Sequence, residues 1–100
     1  MHLHAQGFLL MASKVSTNNG QRIIEYKITD AADNTFCYDI YINGRLLIHQ
    51  PTKPGLPGKN GFIRKIDAEK VAKLVVKKIE RGIMPPTVEL KELDSLKIKY

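Results

Sequence analysis

The stretch that most constrains this chain is Phe36–Gln50, where two runs rich in aromatic and β-branched residues flank the dipeptide Asn43-Gly44. Asn and Gly both tolerate positive φ, which a two-residue type I′ turn requires and which matches the twist of the strands on either side. The stretch predicts a β-hairpin. A two-residue turn pairs Ile42 with Arg45, Tyr41 with Leu46, Ile40 with Leu47, Asp39 with Ile48 and Tyr38 with His49. On that register Phe36, Tyr38, Ile40, Ile42 and Leu47 share one face, with His49 at its end, while Tyr41, Leu46 and Ile48 surround Asp39 on the other. A half-buried antiparallel sheet should be polar on its second face. This one is not, which predicts a cover: the N-terminal segment around Phe8 to Met11, or another subunit.

The preceding run Arg22–Thr29 alternates, with Ile24, Tyr26 and Ile28 on one face and Glu25 and Lys27 on the other, as a strand requires. A slip of one residue would send every side chain to the wrong face. The register pairing Ile28 with Tyr38, Tyr26 with Ile40 and Ile24 with Ile42 also places Lys27 opposite Asp39, a favourable cross-strand pair. Shifting by two places Glu25 there, which repels. Upstream, residues 1–20 carry no clear period, only a weak alternation from Leu10 to Val15 and a turn signal at Thr17-Asn18-Asn19-Gly20. Residues 1–21 are thus expected to be a mobile segment or an extra strand, and residues 22–100 a single domain.

After the hairpin, Pro51–Gly61 holds three prolines and three glycines, which no regular element survives. Loops of that length are often binding loops. Lys59 is followed by Asn60, so no phosphate-cradling Walker loop is present, and Gly55-Leu56-Pro57-Gly58 follows a strand where the KH-domain GxxG joins helices. A helix follows, with Asp67 as N-cap and Ala68, Val71, Ala72, Val75 and Ile79 in one narrow arc. Gly82 supplies its stop and Pro85-Pro86 forbids resumption. Burying Val71, Val75 and Ile79 on the sheet is worth ~1.5 to 3 kcal/mol each. Lys70, Lys73, Lys77 and Arg81 make a basic stripe on the opposite face, with Glu69 and Lys73 as an ion pair. Leu90, Leu93 and Leu96 predict a short closing helix whose leucines complete the core. The expected fold is α+β: an antiparallel three- to four-stranded β-meander packed by one long helix, with a short C-terminal helix.

Length and composition narrow the function classes. One hundred residues suit one modest core. No apolar run approaches the ~18 residues of a membrane span. With Cys37 the single cysteine, no internal disulfide can form. The net charge of +6 is uneven: residues 53–81 hold nine basic side chains and three acidic ones (Asp67, Glu69, Glu80), which favours an anionic partner. His2 and His4 form a His-x-His pair, short of the four ligands of structural zinc, and no metal or cofactor is expected. Gly7–Ser13 resembles a stunted export signal with no Lys or Arg before it, so no intact signal peptide is visible.

The ordered series Tyr38-Asp39-Ile40-Tyr41-Ile42-Asn43-Gly44-Arg45, Ile48-His49-Gln50-Pro51, Gly61-Phe62, the Ala68/Ala72 helix ending in Lys78-Ile79-Glu80-Arg81-Gly82, and Pro85-Pro86-Thr87 resembles a family of small uncharacterised proteins, a domain of unknown function found mainly in Bacteroidetes. The resemblance covers roughly residues 22 to 98. It implies no activity, cofactor or partner, and it suggests an exported or periplasmic protein. Where members of the family often have an aromatic or glycine pair before the Tyr-Asp motif, this chain has Phe36-Cys37.

Catalysis usually needs a nucleophile or acid/base beside an orienting partner in a cleft. On the straight hairpin register Asp39 and Cys37 share one face and His49 lies on the other, so neither a Cys-His nor a His-Asp unit forms, and the chain is not expected to be an enzyme. The favoured reading is a non-catalytic interaction module, self-associating through the face of Tyr41, Leu46 and Ile48 and the Pro/Gly loop. The alternative is nucleic-acid or other polyanion binding through Lys59, Lys70, Lys73, Lys77 and Arg81. Three strands followed by a helix is the order of double-stranded RNA binding domains, but Asp67 and Glu69 intrude on the basic cluster and no helix precedes the strands.

Overall fold

A computed structural model describes residues 12–18 and 22–100, the first of these as backbone. The fold is α+β. Four antiparallel strands, β1 (Ala12–Asn18), β2 (Arg22–Ala31), β3 (Thr35–Ile42) and β4 (Arg45–Gln50), form one meander in the order β1-β2-β3-β4. Helix α1 (Lys65–Glu80) lies across one face, and α2 (Leu90–Ser95) closes the domain. Ser16–Asn18 pair with Ile24–Arg22, so Thr17 and Asn18 belong to a strand and not to the turn that their composition suggests. Phe8–Met11, His2 and His4 lie outside the described residues.

Between β2 and β3 the register is the one that parity predicts: Ile28 opposite Tyr38, Tyr26 opposite Ile40, Ile24 opposite Ile42 and Lys27 opposite Asp39. These apolar residues meet Ala68, Val71, Ala72, Val75, Val76 and Ile79 of α1 in a core completed by Phe62, Leu93 and Ile98. Leu90 does not join it. On this short helix Leu90 projects to solvent, Leu93 is buried and Leu96 is half-buried.

The ends of α1 divide between expectation and correction. The Gly82 N–H donates to the Ile79 carbonyl (3.0 Å) and the Ile83 N–H to the Lys78 carbonyl (2.9 Å), with Gly82 at φ +80°. This is a Schellman stop at the predicted glycine, where a left-handed residue is required. At the other end Arg64, not Asp67, is the N-cap. Asp67 sits one turn further in and is fully buried. Its carboxylate accepts two hydrogen bonds from Arg64 (2.9 and 2.8 Å) and one from the Lys99 N–H (3.0 Å), binding the helix start to the C-terminal segment.

Candidate functional site

The hairpin turn forms as predicted, with Asn43 at φ +52° and Gly44 at φ +81°. Asn43 also binds β2: its Oδ1 accepts from the Ile23 N–H (2.9 Å), and its own N–H donates to the Ile23 carbonyl (2.8 Å). Beyond Leu46 the straight register fails. Tyr41 pairs with Leu46, but Ile40 pairs with Ile48, Asp39 with His49 and Tyr38 with Gln50. Leu47 is the extra residue of a β-bulge, which inserts one residue and reverses the facing of all that follow. The core selects this arrangement, because Ile48 packs beside Ile40 against the buried cluster only if one residue is looped out.

The bulge corrects two expectations. Ile48 belongs to the helix-facing side, so the outer face carries Tyr41 and Leu46 without it, and Leu47 leaves the core face for solvent. His49 arrives opposite Asp39, and the two form the pair that the straight register forbids, Nδ1 to Oδ1 at 2.5 Å. Asp39 takes His49 as a hydrogen-bond partner, and the Lys27 ammonium lies 4.9 Å over the Tyr41 ring. A carboxylate orienting one imidazole nitrogen is a proton-transfer unit, but this one stands on an open strand surface with the His49 side chain about half exposed. Cys37 is buried on the interior strand β3, its thiol 3.1 Å from Thr29 Oγ1 and donating to the Asp30 carbonyl. Among the described residues no three His, Cys, Asp or Glu side chains come together as a metal site.

The Pro/Gly loop runs back along the sheet. Phe36 and Phe62 exchange both backbone hydrogen bonds (2.8 and 2.7 Å), so Phe62 extends the sheet beside β3 where β4 has ended. Gly61 donates to Thr35 Oγ1 (2.8 Å), and the Lys53 ammonium donates to the Gly61 carbonyl (3.1 Å). Leu56 tucks against the core. Gly55 lies against the backbone of Val88–Leu90, bringing the loop up to the segment that follows α1.

Between that loop, the end of β4 and the Pro85–Val88 segment lies a cleft of about 430 Å³. Its walls include Ile48, Pro54, Val75, Pro86 and Val88, with Tyr38, Gln50 and Thr87 as polar members, and no charged side chain lines it. Tyr38 is 2% exposed, its ring stacked on Phe62 (centroids 6.2 Å apart), and its hydroxyl has no hydrogen-bond partner among the described residues. Burial pushes the phenol well above its ordinary range, so it is protonated and a donor. Gln50 Nε2 is committed to the Thr52 carbonyl (2.8 Å). The Lys78 ammonium, held by Glu92 (2.8 Å), donates to the Thr87 carbonyl (2.5 Å) and fixes the cleft's lip to α1. Sequence reasoning reads Pro51–Gly61 as a loop and Pro85-Pro86 as a helix stop; nothing in either segment signals that they meet.

The basic residues are dispersed. Lys73 and Lys77 are exposed on α1, Arg81 at its C-terminal cap and Lys59 on the loop. Lys70 donates to the Leu96 carbonyl (3.3 Å) and approaches Asp67 (4.0 Å), a structural role. Glu69 accepts from the Tyr26 hydroxyl (3.1 Å), so the Glu69 carboxylate expected to serve Lys73 ties the helix to β2 instead. No helix among the described residues is long and apolar enough to cross a membrane.

Residues 28–95 match the family model described as Domain of unknown function (DUF4907). The match covers more than half of the chain, and the chain belongs to this family. Neither the curated proteins nor the solved structures contain a match.

Proposed function

From membership in a family of unknown function, we propose that this domain is a non-catalytic interaction module that pairs with a second copy of itself along β4 and the outer hairpin face. One observation carries the reading: among the described residues β4 is a terminal strand of the sheet, and it presents Leu46 and Leu47 at 56% and 41% exposure. A terminal strand offers unpaired backbone donors and acceptors, a template for another strand. Apolar side chains beside that edge add area whose burial is favourable. Antiparallel pairing of β4 with β4 of a second copy is self-complementary, as a two-fold interface must be. The Asp39–His49 pair supports a structural role over a catalytic one, since it lies outside the cleft that would hold a substrate.

Light scattering across a concentration series tests the reading. Wild type should move from one chain mass towards two as concentration rises, and Leu46→Lys should remain at one. A monomer for both proteins at every concentration would sink it. The exposed Lys73 and Lys77 of α1 and Arg81 at its C-terminal cap support the polyanion alternative. Its signature is duplex binding that weakens steeply with salt, with a log–log slope of about −0.9 per phosphate contacted.

A further inference from the structure

We infer that the cleft between β4, the Pro/Gly loop and Pro85–Val88 is a binding site for an uncharged small molecule with an apolar body and a carbonyl oxygen that accepts from the Tyr38 hydroxyl. Three observations support it, all independent of the β4 edge. The volume, about 430 Å³, falls in the ~300–1,000 Å³ range of small-molecule sites. The walls are proline rings and aliphatic side chains, with no charged group to compensate an ionic ligand for the water it would lose. The third observation points to the ligand's polar atom. Tyr38, almost wholly buried, borders the cleft with a hydroxyl that no described protein group accepts.

A buried polar group without a partner is costly and uncommon in a folded protein. Most buried hydroxyls are satisfied by the fold, and nearby Thr35 shows how: its Oγ1 both donates to the Ala32 carbonyl and accepts from Gly61. Tyr38 has no such provision. Gln50 Nε2 already donates to Thr52 and Thr87 is exposed at the lip, so the phenol is the buried side-chain donor of the cleft without an acceptor among the described residues. A carbonyl is the neutral acceptor best matched to it. The lip is also held in place without a ligand, since Lys78 fixes Thr87 from the helix side and Gly55 abuts Val88–Leu90 from the loop side.

The test uses the full chain and the neutral naphthyl ketone prodan, whose emission reports both the polarity around it and hydrogen bonding to its carbonyl. Wild type should bind one prodan saturably. Tyr38→Phe keeps the ring and removes the donor; it should weaken binding by about three- to tenfold and shift the bound emission to the blue. Thr87→Trp, at an exposed position on the lip, should fill the mouth and lower affinity at least tenfold while the circular dichroism is unchanged. Leu46→Lys should bind as wild type does, whether or not the domain self-associates. The proposal is overturned if prodan does not saturate, if Thr87→Trp binds as well as wild type, if Tyr38→Phe leaves affinity and emission unaltered, or if Leu46→Lys is the variant that abolishes binding.

Discussion

Adding a single methyl group at Gly61 tests the account of how the Pro/Gly loop is fastened. A Cβ there would stand 2.2 Å from the Phe36 carbonyl oxygen, 2.9 Å from its carbonyl carbon and 3.1 Å from the Ala31 Cβ. The first two atoms are backbone of an interior strand, so the loop must retreat instead. Retreat breaks the Phe36–Phe62 exchange and the Gly61 bond to Thr35. Each broken bond removes ~0.5–1.5 kcal/mol, or ~1–3 kcal/mol where a buried group is left unmade. Overpacking adds ~1–3 kcal/mol. Gly61 is not among the glycines at positive φ. Alanine would therefore otherwise stabilise by ~0.4–1 kcal/mol through the unfolded chain, which is too little to offset the clash. Gly61→Ala should destabilise by about 3–5 kcal/mol, read as a lower urea midpoint by circular dichroism and a melting temperature down by more than ~12 °C. Stability equal to or above wild type would refute the close approach.

Three further perturbations probe separate elements. Asn43→Ala removes both the preferred left-handed residue of the turn and the acceptor for Ile23, so it should cost about 1–2 kcal/mol in denaturant unfolding. Burial alone would push the Asp67 carboxyl up, but the Arg64 hydrogen bonds, the Lys99 N–H and the Arg64 and Lys70 charges outweigh it and hold the group below the usual carboxylate range. Hydrogen bonding from Lys78 lowers Glu92 in the same way. Both groups release protons more readily folded than unfolded, so their stabilisation is present above the unfolded value near ~4 and is lost as pH falls through the folded values. Wild type should lose stability on acidification below pH ~4; Asp67→Asn should be less stable at pH 7 and show a shallower acid slope in thermal melts. Tyr38→Phe removes a buried hydroxyl with no partner among the described residues, so its urea midpoint should equal or exceed that of wild type, whereas loss of a satisfied hydroxyl would cost ~1 kcal/mol.

What local sequence determined here is whatever a period or a turn can specify. The Asn43-Gly44 dipeptide selects its turn because both residues accept positive φ, and both adopt it. The alternation of Ile24, Tyr26 and Ile28 with charged residues selects one β2–β3 register, because a slip would bury Glu25 and Lys27. Gly82 ends α1 and the Val71–Val75–Ile79 stripe faces the sheet, since helical geometry alone puts them there.

Local pattern runs out where neighbours in sequence are chemically alike or partners are far apart. Leu46-Leu47-Ile48 has no alternation, so either parity is admissible along β4. Only the space beside Ile40 selects the bulge that turns Ile48 inward, puts Leu47 in solvent and delivers His49 to Asp39. Asp67 has the composition of an N-cap, yet Arg64 and the Lys99 backbone claim it as a buried anchor, and Lys99 lies 32 residues away. The cleft is assembled from β3, β4, α1 and two proline-containing segments. Hairpin turn, strand parity and helix limits follow from interactions within a few residues. The β4 bulge, the Asp39–His49 pair and the Tyr38 cleft follow from which distant surfaces fill the same space, and that is decided only when the chain packs.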